Sequence, residues 1–149
     1  MFRTVLAGAA MLAVTGIVFA QPDVVAQRKE LMRENGVPGY RTFPRMVRAQ
    51  DPYDQAKVDQ SFVQLIENAK KLPALYTPGT EGATRPGSDY FASPKIWQNK
   101  ADFDARFAKY SEELLVAKAK STNLEGLKEA LTIVRRNCDS CHDLYMVRK

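Results

Sequence analysis

The chain holds two cysteines and one histidine, and all three fall within five consecutive positions. Cys138, Cys141 and His142 stand in the segment "RRNCDSCHDLYMVRK". C-x-x-C-H is the pattern of covalent c-type haem attachment. That chemistry needs two thiols a fixed distance apart to reach the ring's two vinyl groups. It also needs an imidazole beside the second thiol to bind iron. On a helix, residues three apart share a face and the next residue points just beside them, so the spacing meets both needs. Three other chemistries use the same residue types. A zinc site needs four ligands, and an aspartate such as Asp139 or Asp143 would have to complete it. A dithiol of the thioredoxin kind wants a βαβ setting and a helix N-terminus to lower its thiol pKa. Two buried, inert thiols are the third alternative. A Cys138–Cys141 disulfide would close a tiny loop within one segment and pin nothing together.

The first twenty residues, "MFRTVLAGAAMLAVTGIVFA", read as a Sec-type secretory signal peptide. Arg3 supplies the positive start, residues 5–18 are almost wholly apolar or small, and Val18-Phe19-Ala20 offers a cleavage site. The expected domains are therefore a leader over 1–20 and a single folded unit over 21–149. Export places the mature protein in the periplasm, and no later segment is apolar enough to span a bilayer. A chain of this size buries enough surface to fold without cross-links. The formal net charge of +5 falls by one with Arg3. So mild an excess suits docking with acidic partners and does not argue for nucleic-acid binding. The cluster Arg28, Lys29, Arg33, Arg41, Arg45 and Arg48, interleaved with Glu30 and Glu34, reads as a solvated face or a docking patch.

Four helical stretches must position the motif, and no strand alternation stands out. The first is "PDVVAQRKELMRENG", with Val24, Val25, Arg28, Leu31 and Met32 on one side and Gly36 as a stop. The prolines and glycines of "VPGYRTFPRMVRAQDP" predict a break as far as Pro44, with a short turn over 45–49. The second helix spans about 53–72, its stripe made by Val58, Phe62, Leu65, Ile66, Ala69 and Leu72. A long Gly- and Pro-rich connection follows. The third helix spans about 101–120, buries Phe103, Phe107, Tyr110, Leu114 and Ala117, and takes Asn99 as N-cap. The fourth opens at "TNLE", where Thr122 and Glu125 suggest a capping box. Its stripe is Leu124, Leu127, Leu131, Val134, Cys138, Cys141 and Tyr145. The motif thus continues the core stripe, and its thiols face the interior of a helical bundle, where bundle cofactors sit.

One histidine excludes bis-histidine ligation within a monomer. Beyond the leader the methionines are Met32, Met46 and Met146. Met146, four residues after His142, reads as part of the same helix on the histidine side of the ring. Met46 falls in the broken stretch. Met32 is the best candidate for the sixth iron position, either as a ligand or as a packed side chain.

These features together resemble the class II c-type cytochromes, the cytochrome c′ and cytochrome c-556 family. The resemblance lies in "RKELM" (28–32), "DPYD" (51–54), "PGTEGATRP" followed by Ile96-Trp97, and "CDSCHDLY" near the end of the chain. It implies an all-α, antiparallel four-helix bundle with one haem c. Cys138 and Cys141 would form the thioethers, His142 would be the proximal ligand, Arg28 would lie near a haem propionate, and Met32 would be distal. In the c-556 branch that methionine binds iron and the protein carries electrons between redox partner proteins. In the c′ branch it shields an open site that takes NO or CO. Homodimers occur among the c′ proteins. No substrate-converting residues are implied, and a peroxidase reading lacks a distal histidine. Trp97 and Tyr145 would pack around the ring.

Overall fold

A computed structural model describes residues 21–82 and 90–148. The expected leader and the stretch 83–89 of the long connection lie outside the described residues. The four long helical arms are α1 (Gln21–Val37), prolonged into α2 (Phe43–Val47), then α3 (Gln55–Lys71), α5 (Lys100–Lys120) and α6 (Leu124–Tyr145). They form the antiparallel four-helix bundle, with the one-turn α4 (Lys95–Gln98) and a short ladder of β1 (Tyr90–Ala92) with β2 (Met146–Arg148) at one end. Helix α5 packs against both α6 and α3, and α1 packs on α3.

Three helices follow their apolar stripes. Val58, Phe62, Leu65 and Ala69 of α3 are buried, and Asp54 caps it by accepting the Lys57 N–H at 3.1 Å. All five expected core residues of α5 are buried. Asn99 occupies the N-cap position without a side-chain cap bond. Asp102 instead accepts from Arg106 Nε at 2.7 Å and from the Tyr145 hydroxyl at 2.5 Å, which ties α5 to the end of α6. Helix α6 buries Leu127, Leu131, Val134 and Tyr145. Its cap is Asn123 rather than Thr122: Asn123 is extended and its side chain accepts the Gly126 N–H at 2.9 Å. The aromatic centre of the core is Phe103, with ring centroids 4.7 Å from Tyr76, 5.1 Å from Phe107 and 5.3 Å from Tyr145.

The expected break after Gly36 does not occur. Helix α1 runs to Val37, a π turn covers Pro38–Thr42, and α2 continues to Val47. Two prolines are tolerated because the hydrogen-bond ladder widens there: Phe43 N–H reaches back five residues to the Pro38 carbonyl. Gly39 is buried, and a Cβ at that position would lie 3.6 Å from Val134 of α6. The helical run stops at Ala49, whose φ of 55° is left-handed. Met46, expected in a loop, is a buried core residue at 2 % exposure.

The second correction concerns the end of α6. Met146 is extended (φ −115°, ψ 136°) and opens β2 instead of continuing the helix. It pairs with Ala92, Val147 with Phe91 and Arg148 with Tyr90, and Ser93 N–H bonds the Tyr145 carbonyl at 2.9 Å. Three-residue strands are too short to show an alternation in sequence. The ladder and the bond from the Trp97 indole to the Thr77 carbonyl, 2.8 Å, anchor the long connection beside the motif.

Candidate haem-attachment site

Helix α6 presents Cys138 and Cys141 one turn apart on its inner side, with His142 next to them. All three line a cleft between α1, α5 and α6 that encloses about 780 Å³ of open space, its mouth included. Met32 lines the same cleft from α1, and Phe107 and Tyr110 line it from α5. The structure therefore brings four of the five expected site residues to one place.

The thiols are free. Burial pushes Cys138 up to about 11, partly offset by the Tyr110 hydroxyl. Burial likewise pushes Cys141 up to about 11, against the pull of the Arg106 guanidinium. Such thiols are neutral at ordinary pH, the opposite of an activated dithiol. The pair lies in the last turns of α6, far from a helix N-terminus, so the thioredoxin-like alternative has no support here. Burial also lowers the His142 pKa, against Asp139 and Asp143, which favours the neutral imidazole whose lone pair binds metals. Among the described residues, no three His, Cys, Asp or Glu side chains gather as a metal cluster, and Asp139 is engaged by Tyr40. The described residues therefore do not gather the ligand set a zinc site would need.

Arg28 stands apart from the other four. It does not line the cleft. Its guanidinium lies 4.8 Å from the Tyr76 ring centroid and 5.6 Å from that of Trp97, and it donates to the Thr80 carbonyl at 3.5 Å. At 4 % exposure it is no surface arginine, and burial lowers its pKa. Its Nε is buried without a hydrogen-bond partner among the described residues. The rest of the basic run keeps to the solvated reading where it is resolved as pairs: Arg33 with Glu30, and Arg45 with Asp51 at 2.7 Å.

Three cleft residues were not legible as site residues in the sequence. Tyr40, in the π turn, donates to Asp139 at 2.7 Å, and Arg135 lies 5.0 Å over its ring while bonding the Gly39 carbonyl at 3.3 Å. This latch joins α1's extension to the motif. Only a reading that carried the first helix through Pro38 would have found it. Tyr110 was expected in the core, but its hydroxyl is buried with no hydrogen bond of ordinary geometry and faces the Cys138 sulfur. Asn35, one turn beyond Met32, lines the cleft at 8 % exposure.

The residues present fit a haem. The cleft's walls are largely apolar, as cofactor sites are. Two thiols, an imidazole and a thioether converge on it, from two helices. Nothing lies within 4 Å of where a Cβ on Gly36 would sit, so the α1 wall is open at that point. Tyr110, which lines the cleft, holds a buried hydroxyl still lacking a partner, as expected beside a large group.

Comparison with known proteins agrees. The family model described as Cytochrome C′ matches residues 23–146. Cytochrome c-556 of Rhodopseudomonas palustris is 34% identical over 143 residues, covering 96% of this chain and 95% of that protein. Cytochrome c′ of the same organism is 35% identical over 144 residues, covering 97% and 94%. The solved structure of cytochrome c′ from Rhodopseudomonas palustris superposes with a TM-score of 0.75 at 34% identity, covering 85% of this chain and 98% of that one.

Proposed function

The chain belongs to the cytochrome c′ family of class II c-type cytochromes and is a mono-haem protein, and from that premise we propose that it carries single electrons in the periplasm. Cys138 and Cys141 would hold the haem as thioethers, and His142 and Met32 would bind its iron. Bound there, the haem supplies one-electron chemistry by cycling its iron between ferrous and ferric states. Cytochrome c′ is itself a familiar example of the bundle class whose cofactors sit among facing helices.

One observation carries the reading: Met32 on α1 lines the same cleft as Cys138, Cys141 and His142 on α6. Two helices thus offer an imidazole and a thioether to one space. The rest of the chain holds these groups still and dry. The Tyr40–Asp139 bond fixes the motif's variable pair against the π turn. Phe107 closes the α5 wall with an apolar ring, and Tyr145 pins the end of α6 to Asp102. Arg28, over the Tyr76 and Trp97 rings, is a buried positive charge outside the cleft lining, of the kind that would suit a propionate. The leader read over 1–20 supports export, and no helix of the described residues is long and apolar enough to cross a membrane.

The near-equal identities to a c-556 and a c′ do not separate an electron carrier from an open site for NO or CO. One observation favours the second reading: the cleft contains a polar side chain, Asn35, beside Met32. An absorption spectrum of the reduced protein with and without CO tests the choice. Met32 ligation predicts a sharp low-spin spectrum that CO leaves unmoved. A high-spin spectrum that shifts with CO refutes it. A Met32→Ala variant converts the low-spin form to high-spin; an unchanged spectrum removes Met32 from the coordination sphere.

A further inference from the structure

We propose that Asn35 is a hydrogen-bond donor to whatever acceptor atom occupies the sixth iron position, and that Asn68 holds its amide in the orientation this requires. The inference rests on the haem placement proposed above. Asn35 is buried on α1 one turn after Met32, and both line the cleft. Asn68, at 3 % exposure on α3, turns its amide nitrogen toward α1. That nitrogen donates to Asn35 Oδ1 at 3.0 Å, Glu34 Oε2 at 3.0 Å and the Leu31 carbonyl at 3.5 Å.

This arrangement settles which way the Asn35 amide points. Its oxygen is taken by Asn68; a flipped amide would set two NH2 groups against each other. The Asn35 Nδ2 donors are then left toward the cleft, and they make no hydrogen bond among the described residues. An amide held by Asn68 with its donors toward the open cleft is placed to meet an acceptor that enters with the cofactor. The wall has room for one, since the space beside Gly36 is open. The chemistry is that of a small acceptor on the distal side. It is either the Met32 sulfur or the outer atom of a small exogenous ligand, and Asn35 sets how firmly that group is held.

The test uses the purified holoprotein, the Asn35→Leu variant and the double Asn35→Leu, Asn68→Leu variant. The double change removes both partners together, so no donor is left stranded if the single variant folds poorly. The wild-type spectrum sorts the two sources. If it is low-spin, Met32 is the acceptor, and imidazole added to the ferric protein must displace it more easily from the variants. A tenfold gain in imidazole affinity is expected, equivalent to about 1.4 kcal/mol, the size of one net hydrogen bond. If it is high-spin, the Met32 reading has failed but Asn35 still faces the ligand. Cyanide then binds the variants about tenfold more weakly, while imidazole, which offers Asn35 no acceptor, binds as before. Unchanged imidazole affinity in the first case, or unchanged cyanide affinity in the second, overturns the proposal. A colourless protein overturns both the proposal and the haem placement beneath it.

Discussion

Gly126 sits in the first turn of α6, where helix propensity and local sterics make opposite predictions for a Gly126→Ala variant. Propensity alone says that alanine stabilises the helix by about 1 kcal/mol. The fold says otherwise. A methyl group at Gly126 would stand 1.9 Å from the Lys120 carbonyl oxygen and 2.9 Å from its carbon. Those atoms are backbone at the end of α5, so no side chain can swing aside. The whole connection would have to shift. It is not free to move: Ser121 is fully buried, and its carbonyl accepts from the Tyr53 hydroxyl at 2.9 Å and from Gln55 at 3.2 Å. Forcing a methyl into a packed site costs about 1–3 kcal/mol or more, and weakening two hydrogen bonds adds about 1 kcal/mol each. Set against the propensity gain, the expected net loss is about 3 kcal/mol. In a domain of this size that is roughly 10 °C in Tm. Urea and thermal unfolding of the holoprotein measure it. A Tm equal to or above that of the parent would show that the α5–α6 turn does not hold α6, and with it Cys138, Cys141 and His142, in the described register.

Three other expectations follow from the same geometry. In protein made without haem attachment, thiols pushed up to about 11 from the ordinary 9.0 hold about a hundredfold less thiolate at pH 8. Alkylation by iodoacetamide should be slow there and rise about tenfold per pH unit toward pH 11; a rate at pH 8 equal to that of a free thiol contradicts the burial of the pair. Phe103→Ala empties the centre of the aromatic cluster and should cost about 3–5 kcal/mol in unfolding free energy, with a loss under 1 kcal/mol counting against that core. Asn123→Ala should cost about 1 kcal/mol as the loss of an N-cap, whereas Thr122→Ala should cost almost nothing, and the reverse order would restore the capping box read from sequence.

Much of the bundle was legible because three helices carry unbroken apolar stripes. The α3 and α5 patterns placed their core residues correctly, with boundaries within two residues. The α6 stripe did more: by running through Cys138 and Cys141, it turned the motif toward the interior, where both line the cleft. What was not legible had physical reasons. Pro38 and Pro44 signal a break, yet a π turn accommodates both, so Tyr40 could not be brought to Asp139 from sequence. Asn123 and Thr122 are adjacent polar residues, and backbone conformation alone chose between them. The β1–β2 ladder depends on two three-residue segments far apart in sequence, Tyr90 pairing with Arg148 and Ala92 with Met146, with no local signal in either. Arg28 read both as part of the first helix's apolar side and as one member of a charged run; its spacing matched its burial, but spacing does not show the two aromatic rings that receive its guanidinium. Asn35 likewise gains its meaning only from Asn68, a residue on another helix.

Intact-mass measurement of the protein matured in an exporting host with haem-ligation machinery goes straight to the attachment itself. The expected species begins after the leader, carries the added mass of one haem, and has neither Cys138 nor Cys141 open to alkylation under denaturing conditions. A polypeptide mass with no addition, and both thiols reactive once unfolded, would contradict the account.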